Sequence, residues 1–313
     1  MCGILGTIGF KNDSRLKVET LHHRGPDGSG VWSSGDNEYP VTLAHTRLSI
    51  LDTSERSKQP MLCLDDRYVF VYNGEIYNFL ELRSYLENLG HDFVTDSDSE
   101  VLLKGLAIEG PAFQLRCNGM WSFCLWDRKK RKALFGRDRF GKKPFFYTFL
   151  ENNKLIFASE MKAIYPFMNS LDFSDRVDEH LRYLFDYEST ENCVFKKIKR
   201  LPPGHFAEYE EGKFSIKRWW NTLDHLVDVP EKYEDQVEEW RDLFLDSVKI
   251  RMRSDVRIGT ALSGGLDSSA IFCAMSHISK QSIKSERLAE DWQNGFCSHF
   301  PGSTLDESNW AKI

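Results

Sequence analysis

The sequence lacks any stretch of about 18 consecutive apolar residues, which a membrane-spanning helix would need. Its first residues also lack the basic segment followed by an apolar segment that marks a secretory signal. The net charge of −6 gives no reason to expect nucleic acid or an anionic membrane as a partner. We therefore expect a cytoplasmic protein with no membrane span and no nucleic-acid partner.

Metal-binding and disulfide patterns are missing as well. The seven cysteines are odd in number and show no CxxC spacing, and the nine histidines show no HExxH spacing. These absences argue against a disulfide framework and a zinc site, and they favour a reducing compartment. No metal ligand can be assigned from the sequence.

The 313 residues suggest about two domains. Short apolar segments separated by polar turns predict a largely antiparallel, sheet-rich first domain. The predicted strands are residues 3–6, 41–51, 68–72, 120–126, 133–136, 144–147, 155–158 and 206–209. Residues 221–231 are interpreted as a linker, and from Tyr233 onward the apolar period becomes helical.

Two helices are predicted from apolar spacing. Residues 79–89 are expected to bury one face and to stop at Gly90. A helix from Tyr233 opens the second domain, with acidic residues early and basic residues late. The expected buried faces are Phe79, Leu82, Leu86 and Leu89 in the first helix, and Val237, Trp240, Phe244 and Val248 in the second.

Cys2 directly follows the initiator methionine. If Met1 is removed, this residue carries both a thiol and a free α-amine, whose ordinary pKa near ~8 suits it to take the thiol proton. An ordinary second-position cysteine is the alternative interpretation.

Polar residues near predicted strands each allow a structural and a functional interpretation. Arg47 lies within a mostly apolar run and needs a carboxylate partner, either a structural one or the α-carboxylate of an amino-acid substrate. Asn73-Gly74 after a buried strand can form an oxyanion hole or a simple hairpin turn. Asp98 can cap a helix or bind a substrate ammonium. The loop with His23 and its neighbours can frame a polar ligand or form an ordinary surface turn.

The most specific stretch is SGGLDSS at 263–269. It follows the apolar segment 256–262 and precedes the apolar segment 270–275, which predicts the order strand, loop, helix. Glycines permit close backbone approach, and the N–H groups at a helix N-terminus bind phosphate. The GxxxxGK[ST] pattern is absent, so this is not the usual nucleoside-triphosphatase loop.

Together these motifs resemble the glutamine-dependent asparagine synthetase family. The motifs are MCGI at 1–4, HRGPDGSG at 23–30, AHTRLSI at 44–50, YNGEIYN at 72–78, SDSE at 97–100, GRDRFGKKPFFY at 136–147, ASEMKAI at 158–164, LPPGH at 201–205 and SGGLDSS. The resemblance implies an α+β N-terminal-nucleophile glutaminase domain at 2–215, with antiparallel sheets and flanking helices. A linker at 216–232 and an incomplete α/β doubly wound ATP-pyrophosphatase-type domain at 233–313 follow.

The resemblance also implies site residues. Cys2 attacks the glutamine side-chain amide, and Asn73 with the Gly74 N–H stabilises the oxyanion. The implied glutamine-binding residues are Arg47, Leu48, Ile50, Asn73, Gly74, Glu75 and Asp98. The implied ATP-binding residues are Leu262, Ser263, Gly264, Gly265, Leu266, Asp267, Ser268, Ser269 and Ser298.

The implied reaction releases ammonia from glutamine and uses ATP with Mg²⁺ to amidate a carboxylate, while the glutaminase half needs no cofactor. Aspartate is the expected acceptor, and a sugar uronate is the alternative. Only about eighty residues follow the linker, so we expect glutaminase chemistry without amide synthesis in this chain alone. A homodimer or a C-terminal segment on another chain is the expected partner. A non-catalytic relic that binds glutamine or a partner subunit is the other alternative.

Overall fold

The computed structural model describes residues 1–11, 14–183, 187–188, 190–281, 286–304 and 306–312. The chain forms two compact units, one of residues 1–49 and 54–225, the other of residues 50–53 and 226–313. No helix among the described residues is long and apolar enough to cross a membrane. The predicted boundaries at 215 and 233 stay predictions.

Two antiparallel six-stranded sheets form the first unit. Sheet 1 has the order β10-β8-β9-β1-β3-β2, and sheet 2 has the order β12-β11-β7-β6-β5-β4. The strands are β1 Gly3–Ile8, β2 Gly28–Ser33, β3 Val41–Arg47, β4 Met61–Cys63, β5 Tyr68–Ile76, β6 Gly119–Asp127, β7 Lys132–Arg137, β8 Phe146–Leu150, β9 Lys154–Ala158, β10 Lys199–Arg200, β11 His205–Glu210 and β12 Lys213–Arg218.

Helices flank these sheets. The α-helices of the first unit are α1 Phe79–Asn88, α2 Asp98–Glu109 and α3 Val177–Arg182. Helix α2 contacts both α1 and β5, so α2 lies against sheet 2 and α1 packs on α2. Short 3₁₀ segments lie at Val18–Arg24, Glu55–Ser57, Gly110–Arg116, Glu151–Asn153, Met161–Ala163, Tyr165–Phe167 and Thr222–His225.

Strand β1 is central in sheet 1 and is apolar on both faces. Ile4 and Ile8 point into the core between the two sheets, whereas Leu5 points into a second core beneath the 3₁₀ segments. Gly6 is required between them, because a Cβ there would lie 2.2 Å from the Phe157 ring. Successive strand residues face opposite sides, so burial on both faces explains the continuous apolar run.

Aromatic rings fill the core between the sheets. Phe135 of sheet 2 lies with its ring centroid 5.5 Å from that of Phe145 and 5.1 Å from that of Phe157. Phe145 and Phe157 stack on each other at 5.6 Å. All three side chains are fully buried. This cluster holds the two sheets face to face.

The predicted strands are confirmed in position, although their ends differ from the prediction. Residues 48–51 lie outside β3, and β8 begins two residues later than predicted. The prediction of an Asn-Gly turn is wrong. Strand β5 continues to Ile76, and Asn73 and Gly74 pair with Ser122 and Trp121 of β6. Pairing with β6 therefore overrides the local turn preference of Asn-Gly.

The helix predictions in the first unit need two corrections. Leu89 is 53% exposed because α1 ends at Asn88, although Gly90 has the positive φ of 88° expected at a stop. The cap of α2 is Ser97, whose hydroxyl accepts a hydrogen bond from the Glu100 N–H, so Asp98 is the first helical residue instead. This releases the Asp98 carboxylate for other partners.

The second unit contains helices α4 Tyr233–Arg251 and α5 Leu266–Ser279. Its strands β13 Gly259–Ala261 and β14 Asn294–Phe296 pair in parallel, and a 3₁₀ segment lies at Trp310–Lys312. Apolar residues from both helices form its core, with Trp292. The predicted buried face of α4 is only partly right, since Val248 is buried whereas Val237 and Trp240 are exposed.

Phe135→Ala should lower the free energy of unfolding of the first unit by about 3–5 kcal/mol, because it opens a cavity among three packed rings. Phe140→Ala is the matched control. Its side chain is 66% exposed, so the change should stay within about 0.5 kcal/mol. Urea unfolding measures both, and an equal loss in the two variants would contradict this account of the core.

Candidate active site

Cys2 lies immediately before the central strand β1. Gly3 pairs with Thr46 of β3, and Ile4 is bonded on its other side to Ser159, whose hydroxyl and backbone N–H both participate. The Leu48 N–H donates to the Cys2 sulfur at 3.4 Å, and the thiol lies 3.6 Å from the Leu48 carbonyl. The backbone bonds of Gly3 and Ile4 to the two neighbouring segments and the contacts with Leu48 therefore fix the position of this thiol.

Burial opposes ionisation of this thiol. Desolvation raises the pKa of Cys2, and the charge of Asp98 adds to this effect. The Leu48 N–H, the terminal amine and Lys143 act in the opposite direction. Burial also lowers the pKa of the Met1 amine.

Arg24 holds the carbonyl group of Cys2. Its Nε donates to the Cys2 oxygen at 2.9 Å, and its Nη1 donates to Glu160 at 2.9 Å. His23 and Lys162 also contact this carboxylate, at 2.8 and 3.2 Å. The hydrogen bonds from these three residues lower the pKa of Glu160 to about 2. The ionised Glu160 therefore orients Arg24 toward the main chain of Cys2.

Asn73 is fully buried on β5, and neither its Nδ2 nor its Oδ1 has a hydrogen-bond partner among the described residues. An unbonded buried amide costs about 1–3 kcal/mol, so such a group calls for a ligand. The preceding residue ties β5 to sheet 1, because the Tyr72 carbonyl lies 3.0 Å from Nε2 of the buried His45 on β3. The strand is thus held in place, while no described residue forms a hydrogen bond with the Asn73 amide.

Two acidic residues, Asp98 and Glu75, interact at this end of β5. Asp98 accepts hydrogen bonds from the Tyr72 hydroxyl at 2.8 Å and the Ile76 N–H at 2.9 Å. Desolvation raises the pKa of Asp98. Desolvation and the charge of Asp98 together raise the pKa of Glu75. Two carboxylates in one buried site favour a bound cation such as an ammonium group.

Arg47 ends β3 with its side chain buried, and its Nη1 donates to the Ser54 carbonyl at 2.7 Å. The terminal thiol, the Asn73 amide, the carboxylates and this guanidinium all belong to the first unit. They are the groups needed to bind an amino acid by both ends and to attack its side chain.

The predicted order of strand, loop and helix at 256–275 is confirmed, although β13 is shorter than predicted. Gly264 has φ 84°, and Gly265 caps α5. The Ser263 and Ser268 hydroxyls lie 3.0 Å apart. Because β13 and β14 are parallel, Ser263 and Ser298 each follow a strand at the same sheet edge.

Comparison with known proteins decides the family. A glutamine amidotransferase domain model matches residues 1–220, and an asparagine synthase model matches residues 239–313. The chain belongs to the glutamine-dependent asparagine synthetase family.

Members from distant organisms support this assignment. Asparagine synthetase 3 of Bacillus subtilis is 38% identical over 296 residues, which cover 90% of this chain and 46% of that protein. A putative asparagine synthetase 2 of Methanocaldococcus jannaschii is 35% identical, with 88% of this chain and 57% of that protein covered. The chain thus spans about half the length of the curated relatives it matches.

The fold also has a solved counterpart. Glutamine phosphoribosylpyrophosphate amidotransferase of B. subtilis superposes with a TM-score of 0.52 at 17% identity, covering 89% of this chain and 64% of that one. The first unit therefore has the N-terminal-nucleophile glutaminase fold, with antiparallel sheets and flanking helices.

Most of the predicted glutaminase residues of this family member lie in the first unit. Leu48 contributes its backbone to Cys2, whereas Ile50 falls in the second unit, where its carbonyl accepts a hydrogen bond from the Asp255 N–H. Sequence reasoning assigned no role to His45, Lys143 or Glu160. All three lie within quoted family motifs, which were the available signal.

His45→Gln should flatten the loss of stability in acid. Burial lowers the pKa of His45 to about 4, below its usual 6.5, so the unfolded chain takes up the proton first. In the wild type, the contribution of His45 to the free energy of unfolding is fully present above pH 6.5, and about 3 kcal/mol of it is lost as the pH drops toward 4. Urea unfolding across this range measures the difference. His22→Gln, at an exposed position, should keep the wild-type profile. Parallel profiles for His45→Gln and the wild type would contradict the prediction.

Proposed function

We propose that this chain carries the glutaminase site of a glutamine-hydrolysing asparagine synthetase, with Cys2 as the nucleophile. The observation that carries the proposal is the fully buried Asn73 amide, unbonded among the described residues. It lies on β5, and the His45–Tyr72 contact joins β5 to sheet 1, whose strand β1 directly follows Cys2. A donor left free in this setting suits an oxyanion that forms only during reaction.

The reaction proceeds in two steps. After removal of Met1, the α-amine of Cys2 takes the thiol proton, and the sulfur attacks the side-chain carbonyl carbon of glutamine. The Asn73 amide and the Gly74 N–H bind the oxyanion. The carbon–nitrogen bond breaks, the departing nitrogen takes up a proton, and ammonia leaves a γ-glutamyl thioester. Water then hydrolyses this thioester to glutamate and restores the thiol.

Glutamine is bound by its amino-acid end. Arg47 pairs with the α-carboxylate, because guanidinium binds a carboxylate through two parallel hydrogen bonds. Glu75 and Asp98 receive the α-ammonium, which offsets the repulsion between the two carboxylates. Leu48 contributes backbone groups beside the sulfur, and Ile50 stays a predicted contact. This half uses no cofactor.

The loop at 262–269, together with Ser298, would hold ATP in the second unit. The positive φ of Gly264 and the cap at Gly265 leave backbone N–H groups at the start of α5 suited to phosphate. No group of three or more metal-binding side chains occurs in the described parts of the chain. Mg²⁺ would therefore be held mainly by the ATP phosphates, with Asp267 as the nearby carboxylate.

Aspartate is the proposed acceptor of the ammonia. Its carboxylate would be activated by adenylation before the amide forms. We also propose a cytoplasmic location. We further propose a homodimer, which analytical ultracentrifugation of the purified protein tests.

Cys2→Ala should abolish glutamate release from glutamine, and Asn73→Ala should lower kcat by about 10²–10³-fold with a smaller effect on KM. The assay uses chain whose intact mass shows that Met1 is gone. Cys63→Ala, at a half-buried thiol of another strand, is the control and should retain full activity. Glutamate release that survives Cys2→Ala would refute the proposal.

A further inference from the structure

Strand β5 has one edge that β4 covers only in part. The pairing of these two strands ends at Phe70 of β5. Beyond this point, Gln59 accepts a hydrogen bond from the Tyr72 N–H at 2.6 Å, and Nε2 of His45 lies 3.0 Å from the Tyr72 carbonyl. At Tyr72, two side chains therefore take the place of a neighbouring strand.

Asp98 binds the same edge further along the strand. Its carboxylate accepts a hydrogen bond from the Ile76 N–H at 2.9 Å. Because backbone groups alternate between the two edges of a strand, the Gly74 N–H lies at this edge as well, between Tyr72 and Ile76. This is the N–H proposed to bind the oxyanion. Asp98 therefore lies two residues along the strand from the proposed oxyanion site.

The Tyr72 side chain also reaches this carboxylate. Its hydroxyl donates to Asp98 at 2.8 Å, and this bond and the bond from the Ile76 N–H both end on the Oδ2 atom. Tyr72 is buried, and its ring stacks on that of Phe70 with the centroids 5.9 Å apart. Burial and the charge of Asp98 raise the pKa of Tyr72 well above its usual value. The hydroxyl therefore keeps its proton and is a fixed donor.

Anchoring the helix does not by itself explain the bond between Tyr72 and Asp98. Ser97 caps α2, and the Ile76 N–H already ties Asp98 to β5. Among the residues that the structure describes, Asp98 forms no ion pair, although a buried carboxylate without a cation is costly. Two neutral donors on one oxygen fix the direction of the carboxylate and cancel none of its charge.

We propose that Tyr72 is a positioning residue for substrate binding, whose hydroxyl holds the Asp98 carboxylate in the orientation that receives the α-ammonium group of glutamine. Tyr72 makes no bond to the substrate in this arrangement. Without the hydroxyl, Asp98 loses one of the two donors on Oδ2, so the carboxylate can rotate and its ionised form is less stable. The inference rests on the proposed function, in which Asp98 binds this ammonium.

The test compares glutamine with glutaramate, which is the same amide without the α-amino group. The dissociation constant of each is measured on the Cys2→Ala protein, which cannot turn glutamine over, by NMR titration, which also measures weak binding. Adding Tyr72→Phe should weaken glutamine binding about tenfold, the effect of losing a hydrogen bond to a charged group. Glutaramate binding should stay unchanged. The phenylalanine keeps the ring and its packing, and general damage to the fold would weaken both ligands equally.

Tyr85→Phe is the matched control. The Tyr85 hydroxyl donates at 2.7 Å to Glu109, a carboxylate at the other end of α2. This change removes the same kind of bond from the same helix and should leave both affinities unchanged. In a protein that already carries Asp98→Asn, Tyr72→Phe should cause no further change in the ratio of the two affinities, because the charge that it positions is gone.

An equal loss of both affinities in Tyr72→Phe, or no change in either, would overturn the inference. Asp98→Asn separates it from the proposed function. If Asp98→Asn removes the preference for glutamine and Tyr72→Phe leaves it intact, only the role of Tyr72 fails. If Asp98→Asn leaves the preference intact, or if glutamine does not bind, the proposed substrate site fails and the role of Tyr72 fails with it. Glutamate release by the chain with Cys2 tests the glutaminase chemistry independently of these affinities.

Discussion

The position of one strand governs the rest of the site. Strand β1 lies between β3 and β9 in sheet 1, so its register is fixed from both sides. Cys2 is one peptide bond from this strand and has no freedom to drift. The pairing with β3 also brings Arg47 and Leu48 to the same end of the sheet. Backbone pairing therefore sets the position of the proposed nucleophile.

Burial sets the electrostatics of the candidate site. Burial raises the pKa of Cys2, Glu75 and Asp98, and it lowers that of His45. Burial thus shifts each of these groups toward its neutral form. The α-ammonium of the proposed glutamine substrate would shift the two carboxyls back toward the ionised form, so burial and substrate binding act in opposite directions on their pKa.

Much of the fold was predictable because the signals are local. Both faces of β1 and β9 are covered, so their apolar runs marked them as strands. The turn predicted at Asn73-Gly74 failed because local preference carries no information about β6, which pairs along the whole of β5. The predicted burial of Leu89 was wrong because the apolar spacing continues one residue past the end of α1.

The candidate site was only partly predictable for a related reason. Cys2 and Asp98 were singled out by sequence position and residue type. Lys143 was not, because a charged glycine-bounded segment has the composition of a surface turn. Its burial follows from hydrogen bonds that Asp138 and Arg137 make to residues far apart in the sequence, such as Trp121 and Leu201.

The central placement of β1 has a practical consequence for anyone who handles the protein. Ile4 and Leu5 are fully buried, whereas Met1 is 53% exposed. No spacer separates Cys2 from the core, so residues added before Cys2 would crowd the candidate site. An affinity tag at this end would also acylate the α-amine that the proposed mechanism needs. Purification handles belong at the opposite terminus.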